Sequence, residues 1–177
     1  VQQMMLLVEP LIPALRRYAA ALTRDRADAD DLVQDTLELV ITRWHQRRTD
    51  GSVRSWLFAI LHNLAVSRMR QHRRRGGAHL PIDEAHEAAL AMPAPQEAAA
   101  GSRDLMRALD ALTEEQRSVL LLVTVEGLSY AETAEVLSVP IGTVMSRLSR
   151  ARDRMIQLMD DEVGGVRLQR PVLRRLK

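Results

Sequence analysis

The chain has 177 residues and no cysteine, which excludes a disulfide framework and any cysteine-based zinc site. Aromatic residues are scarce: one Phe, two Tyr and two Trp. No apolar run approaches the roughly 20 residues that a membrane-spanning helix needs, and no secretory signal opens the sequence. The expectation is a cytoplasmic protein with no membrane insertion. Lysine occurs once, as Lys177, among 25 basic residues, a skew attributed to a GC-rich genome rather than to function. Net charge is only +2, so bulk electrostatics gives weak nonspecific DNA binding. Any nucleic-acid affinity must come from local patches.

Such patches are present. Residues 1–75 carry 13 arginines against 8 acids, whereas residues 76–112 carry 2 against 6. Residues 113–160 hold 5 against 7, and residues 161–177 hold 5 basic residues against 2 acids. A hydrophobic content of 46% argues against disorder, and the length suits one domain or two small ones.

The segment GLSYAETAEVLSVPIGTVMSRLSRARDRM, residues 127–155, reads as two short helices around a tight turn. Ser129 with Glu132 fits a capping box, and the helix that follows is expected to bury Ala131, Ala134 and Val136 or Leu137. Pro140 is favourable at a helix entrance and costly inside one. From Ile141 to about Leu158 the helical period restarts, with Val144, Leu148, Ala151 and Met155 on one stripe. The opposite face then carries Met145, Ser146, Ser149, Arg150 and Asp153, flanked by Arg147 and Arg154 on one side and Arg152 on the other. An amphipathic helix with a solvated face explains the arginines alone. The caps, turn and helix order together point to a helix-turn-helix that reads the major groove, its flanking guanidiniums on phosphates.

Residues 11–22 read as an amphipathic helix through Leu11, Leu15, Tyr18, Ala19 and Leu22. The next helix buries Leu32, Val33, Thr36, Leu37, Val40, Ile41 and Trp44, and its other face shows Asp31, Gln34, Asp35, Glu38 and Thr42. Solvated acids explain that face; so does a docking surface for a basic partner helix. Gln46 to Val53 is a polar loop with an Asp50-Gly51 turn. A third helix, from about Arg54 to Arg73, buries Trp56, Leu57, Ile60, Leu61 and Leu64. Its other side carries His62, Asn63, Arg70 and Arg73, a pattern suited to single-stranded or distorted DNA. Trp56 and Phe58 could stack on bases, although aromatics at helical spacing more often belong to a core.

Residues 76–101 change composition, with two leading glycines, Pro81, Pro93, Pro95, acids and alanines, and read as a linker. After it come a helix through Leu105, Leu109 and Leu112 and another from Thr113 to Glu126, capped by Thr113 with Gln116. The fold class is all-α: two small helical domains joined by a flexible linker, the second containing the helix-turn-helix.

Taken together, DDLVQDTLELV (30–40), WLFAILHNLAVSRMR (56–70) and the helix-turn-helix, in that order, resemble the extracytoplasmic-function group of the sigma-70 family of bacterial RNA polymerase sigma factors. The resemblance covers about Leu11 to Leu158. It implies a core-polymerase-binding domain at 1–75 that also reads the −10 element, a linker at 76–101, a −35-reading domain at 102–160, and a basic tail at 161–177 to which it gives no role. It implies that Asp31, Gln34, Asp35 and Glu38 face the coiled coil of the β′ clamp, with the β subunit as a further contact. The same resemblance puts Arg47, Arg48, Asp50, Asn63, Arg70 and Arg73 at the −10 element, and Met145, Ser146, Arg147, Ser149, Arg150 and Arg154 at the −35 element. Met145 stands where the family is often basic, and Arg47 where an aromatic often opens the −10 loop. The implied partners are core RNA polymerase, promoter DNA and an anti-sigma factor.

Neither a cofactor nor a metal is called for, and no catalytic constellation is evident; the five histidines show no ligand spacing. Two other readings compete. A dimeric operator-binding regulator would leave the acidic and arginine-ended helices unexplained. A magnesium-dependent hydrolase built on Asp30, Asp31 and Asp35 would lack a phosphate-binding loop.

Overall fold

In the computed structural model, residues 2–47, 51–74 and 105–162 are described, with the side chains of 160–162 excepted. Arg48, Asp50, the segment 76–101 and the tail from 163 lie outside them. All regular structure among the described residues is helical.

The first body opens with α1 (Gln2–Val8) and a single turn of 3₁₀ helix, Glu9–Leu11. Helix α2 (Ile12–Thr23) ends because Arg24 turns left-handed, at φ 59°. Asp25 then caps α3 (Arg26–Arg43), its Oδ1 accepting from the Asp28 N–H at 2.8 Å. Helix α4 (Val53–Arg74) crosses both. In the second body, residues 105–110 form α5. A complete capping box, Thr113 with Gln116, starts α6 (Glu114–Leu120), which widens into a π-helical turn at Leu121–Val125. Ser129 and Glu132 form the same box at the start of α7 (Tyr130–Leu137), and left-handed Ser138, φ 53°, ends it. Pro140 then accepts the first bonds of α8 (Ile141–Glu162) from Thr143 and Val144, a position where its missing N–H costs nothing.

Two apolar cores result. One gathers Leu15, Tyr18, Leu32, Leu57, Phe58 and Leu61; the other gathers Val119, Val144, Leu148 and Ala151. They are not independent. Leu121, Leu122, Leu128 and Val136 of the second body are buried in the first core. At about 1.5–3 kcal/mol for each buried side chain, that apolar contact outweighs the largely exposed ion pair of Arg73 with Glu114 beside it, worth about 0–1 kcal/mol.

The π turn is the local cause. By taking one residue more than an α turn, it lets the Glu126 N–H reach the Leu121 carbonyl at 2.9 Å, rotating the end of the helix. Leu120 then faces the second core while Leu121 and Leu122 face the first.

Several expectations are corrected. Ile41 is 61% exposed rather than buried; Trp56, half-buried, does pack against the first core as expected, and Phe58 is fully buried against Tyr18. In α7 the buried residues are Thr133 and Val136; Ala131 is exposed. Packing against α4 selects the face that carries Thr133, which hydrophobicity alone could not identify.

Candidate nucleic-acid interface

Helix α8 turns Val144, Leu148, Ala151 and Met155 into the second core, the stripe expected from the period. Its outer face leaves Met145, Ser149, Arg150 and Arg154 exposed. Ser146 is half-buried and donates its hydroxyl to the Thr143 carbonyl at 3.1 Å. Arg147 leans away from that face and pairs with Glu115 of α6 at 3.0 Å. The six sequence-selected residues therefore divide: four form a solvent-facing strip, one binds its own backbone, and one is held by an acid.

On α3, Asp31, Gln34 and Glu38 are exposed. Asp35 is half-exposed and bonded to the Arg68 guanidinium of α4, which also reaches the Asp28 and Asp31 carbonyls at 3.4 Å. The acidic face is thus partly neutralised from within.

The arginine-bearing side of α4 faces the second body. Asn63 and Arg70 line a cleft of about 750 Å³ whose far wall includes Glu114, Glu115 and Arg147. Arg73 donates to Glu114 at 3.1 Å. Near the mouth of the α3–α4 loop, the Arg47 guanidinium sits over the Trp44 ring, 4.9 Å from its centroid. That ring in turn meets Trp56 edge-on at 6.1 Å. Trp56 is thereby part of an aromatic stack that braces the start of α4.

At the cleft floor, Nδ1 of His62 lies 3.1 Å from the Tyr18 hydroxyl. Burial lowers the His62 pKa to about 4, so the ring is neutral at physiological pH, and burial holds the Tyr18 phenol well above its ordinary value.

Sequence reasoning missed the ion pairs that join the bodies. Glu126 is buried and receives Arg17 at 3.0 Å and Arg54 at 3.6 Å. Arg24 pairs with Asp110 at 2.9 Å. Arg117, its pKa brought down to about 10 chiefly by burial and secondarily by Arg24, donates to the carbonyls of Leu109, Asp110 and Leu112. It thereby caps the end of α5, where a cation is favoured. Partners as far apart as 109 positions leave no local signal.

Among the described residues, no group of three His, Asp or Glu could hold a metal ion, and no helix is long and apolar enough to cross a membrane.

Comparison with known proteins agrees with this geometry. Residues 8–62 match the family model "Sigma2 domain of PhyR", and residues 102–155 match "Sigma-70, region 4". The ECF RNA polymerase sigma factor EcfG of Rhodopseudomonas palustris is 33% identical over 148 residues, 84% of this chain and 80% of the relative. The ECF RNA polymerase sigma factor SigM of Mycobacterium tuberculosis is 35% identical over 156 residues, 88% of this chain and 76% of the relative. Among solved structures, the sigma factor RpoE of Bartonella quintana, in complex with the anti-sigma factor NepR, superposes with a TM-score of 0.74 at 32% identity. That match covers 90% of this chain and 96% of the other. CnrH in complex with the cytosolic domain of CnrY gives a TM-score of 0.67 at 25% identity, covering 92% and 91%.

Proposed function

The chain belongs to the ECF RNA polymerase sigma factors of the sigma-70 family, and on that premise we propose how its residues divide the work. It binds core polymerase, directs it to promoters with −35 and −10 elements, and helps melt the −10 region. The observation that carries this reading is the outer strip of α8, where Met145, Ser149, Arg150 and Arg154 stand clear of both cores. In our reading that strip enters the major groove at the −35 element, with Arg147 joining it once released from Glu115.

Residues 1–75 take the polymerase clamp on Asp31, Gln34, Asp35 and Glu38, with the β subunit as a further contact. They take the −10 strand on Arg47, Arg48, Asp50, Asn63, Arg70 and Arg73. Residues 102–160 form the −35-reading domain, and 76–101 the linker between the two. Capture of an unstacked base offsets part of the melting cost, a few kcal/mol per base by analogy with base flipping, and no catalytic step is required of the chain.

Size decides that the two bodies separate on the promoter. A compact chain of this length has a radius of gyration of about 16 Å, hence a diameter of about 40 Å. Elements about 25 base pairs apart lie roughly 85 Å from one another at 3.4 Å per pair. Twenty-six linker residues span at most about 86–94 Å when extended, enough to bridge the gap. Two weak contacts on one tether then gain from effective concentration, which offsets the modest net charge.

The closed arrangement, with Asn63 and Arg70 facing the cleft, corresponds in our reading to the form that an anti-sigma factor holds. The relatives solved with NepR and CnrY support such control. The protein works in the cytoplasm, where polymerase is. Size-exclusion of the full chain with purified core polymerase tests the reading: co-elution is expected. A chain that binds promoter-like DNA as a dimer and ignores polymerase would instead be an operator-binding regulator.

A further inference from the structure

Two apolar side chains stand bare at the leading end of α8. Ile141 is 50% exposed and Met145 54%, and one helical turn separates them, which sets them about 40° apart on the same side. Neither belongs to either core. From Ile141 to Met159 the helix carries Arg147, Arg150, Arg152 and Arg154 against a single acid, Asp153. A surface of that charge suits nucleic acid, and an adjacent apolar pair within it suits a nucleic-acid group that is itself apolar.

Gly142 gives an independent sign that this end of the helix meets something. It is exposed, its φ is not left-handed, and a Cβ added there would meet nothing within 4 Å. Neither backbone conformation nor packing inside the molecule asks for glycine, a weaker helix former than alanine. A bare backbone beside Ile141 does allow an outside surface to come close.

We propose that Met145, with Ile141 beside it, reads the C5 methyl of thymine in the major groove of the −35 element. This rests on α8 being the −35 reader, as proposed above, and adds which base its leading end selects. In a helix-turn-helix the N-terminal residues of the second helix reach base edges. The thymine methyl is the one apolar group in the pattern that base pairs present there; the others are hydrogen-bond donors and acceptors. A thioether has no donor and only a weak acceptor, but it is flexible and polarizable and fits itself to an apolar partner. Thymine is therefore the base that Met145 can favour by contact. Arg150, exposed further along the same helix, carries a fork that suits guanine. Specificity is thus divided along α8, with apolar contact at its leading end and hydrogen bonding beyond it.

Uracil keeps the pairing and the O4 acceptor of thymine and lacks only the methyl, so it isolates the contact. Holoenzyme made from the full chain and core polymerase first selects its upstream element from randomised duplexes. Each thymine of the selected element is then replaced singly by deoxyuridine. At the contacted position the parent should bind uracil about fourfold more weakly than thymine, the factor that about 0.8 kcal/mol for one buried carbon group represents. Met145→Ala should bind the two alike. At the same position the parent should prefer 5-methylcytosine to cytosine, and Met145→Ala should not. Both side chains are exposed, so the variants should keep the parent's thermal midpoint.

Equal binding of thymine and uracil at every position, with Arg150→Ala still weakening binding to the upstream element, would overturn the proposal and leave α8 as the −35 reader. A selected element without thymine would do the same, as would discrimination that persists in Met145→Ala. If neither Arg150→Ala nor a scrambled upstream element changes binding, α8 is not the −35 reader and the proposal falls with it. Ile141→Asp with Met145→Asp tests for a protein contact. Loss of core-polymerase binding in the absence of DNA would overturn the proposal by assigning the pair to polymerase.

Discussion

The carboxylate of Glu126, 1% exposed, receives the guanidinium of Arg17 at 3.0 Å across 109 residues of sequence. Arg54 supports the same carboxylate, so one buried acid is held by two half-exposed cations. A buried charge tolerates loss of its partners poorly, because it is then left unpaired in low dielectric. The asymmetry yields a prediction. Glu126→Gln keeps an acceptor and leaves only solvated arginines, and should cost about 1.5–3 kcal/mol. Arg17→Met with Arg54→Met strands the acid and should cost about 3–5 kcal/mol. Urea unfolding of the two variants checks the order; equal or reversed losses would show that the pairs are incidental.

On the outer face of α8, Arg150 is exposed whereas Arg147 is held by Glu115. Arg150→Ala should weaken binding of the polymerase complex to promoter DNA by about 1–3 kcal/mol, with relaxed preference at one base position. Arg147→Ala should cost less, since part of its contribution is offset by the lost pair with Glu115. A loss that is uniform over sequences would assign Arg150 to a phosphate instead, and competition binding on single-base promoter variants separates the two.

Charge reversal on α3 has two meanings that the structure distinguishes. Asp35→Arg removes the partner of Arg68 and puts two cations side by side, so it should reduce both polymerase binding and stability. Glu38 is exposed and forms no salt bridge among the described residues, so Glu38→Arg should reduce polymerase affinity while leaving the unfolding free energy within about 0.5 kcal/mol of the parent. Calorimetry beside a pull-down checks this. Polymerase binding that survives Glu38→Arg would move the docking surface off this face.

Acid should loosen the molecule through His62. Its folded pKa, about 4, lies below the unfolded value of 6.5, so folding favours the neutral ring. The contribution is complete above pH 6.5 and is lost as pH falls from 6.5 through 4, about 3 kcal/mol in all. The groups around it are the Tyr18 hydroxyl and the cleft residues Arg70, Arg74, Glu114, Glu115 and Arg147. His62→Gln should flatten the difference in unfolding free energy over that interval relative to the parent. Parallel pH curves for the two would remove His62 from the account.

What was legible in the sequence, and what was not, follows from range. The α8 stripe from Val144 to Met155 and the two capping boxes rest on interactions within four residues, and local pattern reports them directly. The π turn at Leu121–Val125 is invisible in a run of apolar residues, because nothing within that run marks which of Leu120, Leu121 and Leu122 goes to which core. Ile41 is exposed and Thr133 buried for a related reason: which half of a helix is covered depends on where α4 lies. Candidate binding residues were legible as types on faces. That Arg73 is held by Glu114, Arg147 by Glu115 and Asp35 by Arg68 was not, since charge complementarity between distant segments has many solutions in one sequence.

The central claim is that this chain supplies promoter specificity to RNA polymerase. Purified full-length protein is added to core polymerase with a pool of genomic fragments, and run-off transcripts are mapped. Discrete start sites that share paired upstream elements, and that disappear with Arg150→Ala or Glu38→Arg, are expected. A core enzyme whose transcripts are the same with and without the protein would contradict the account.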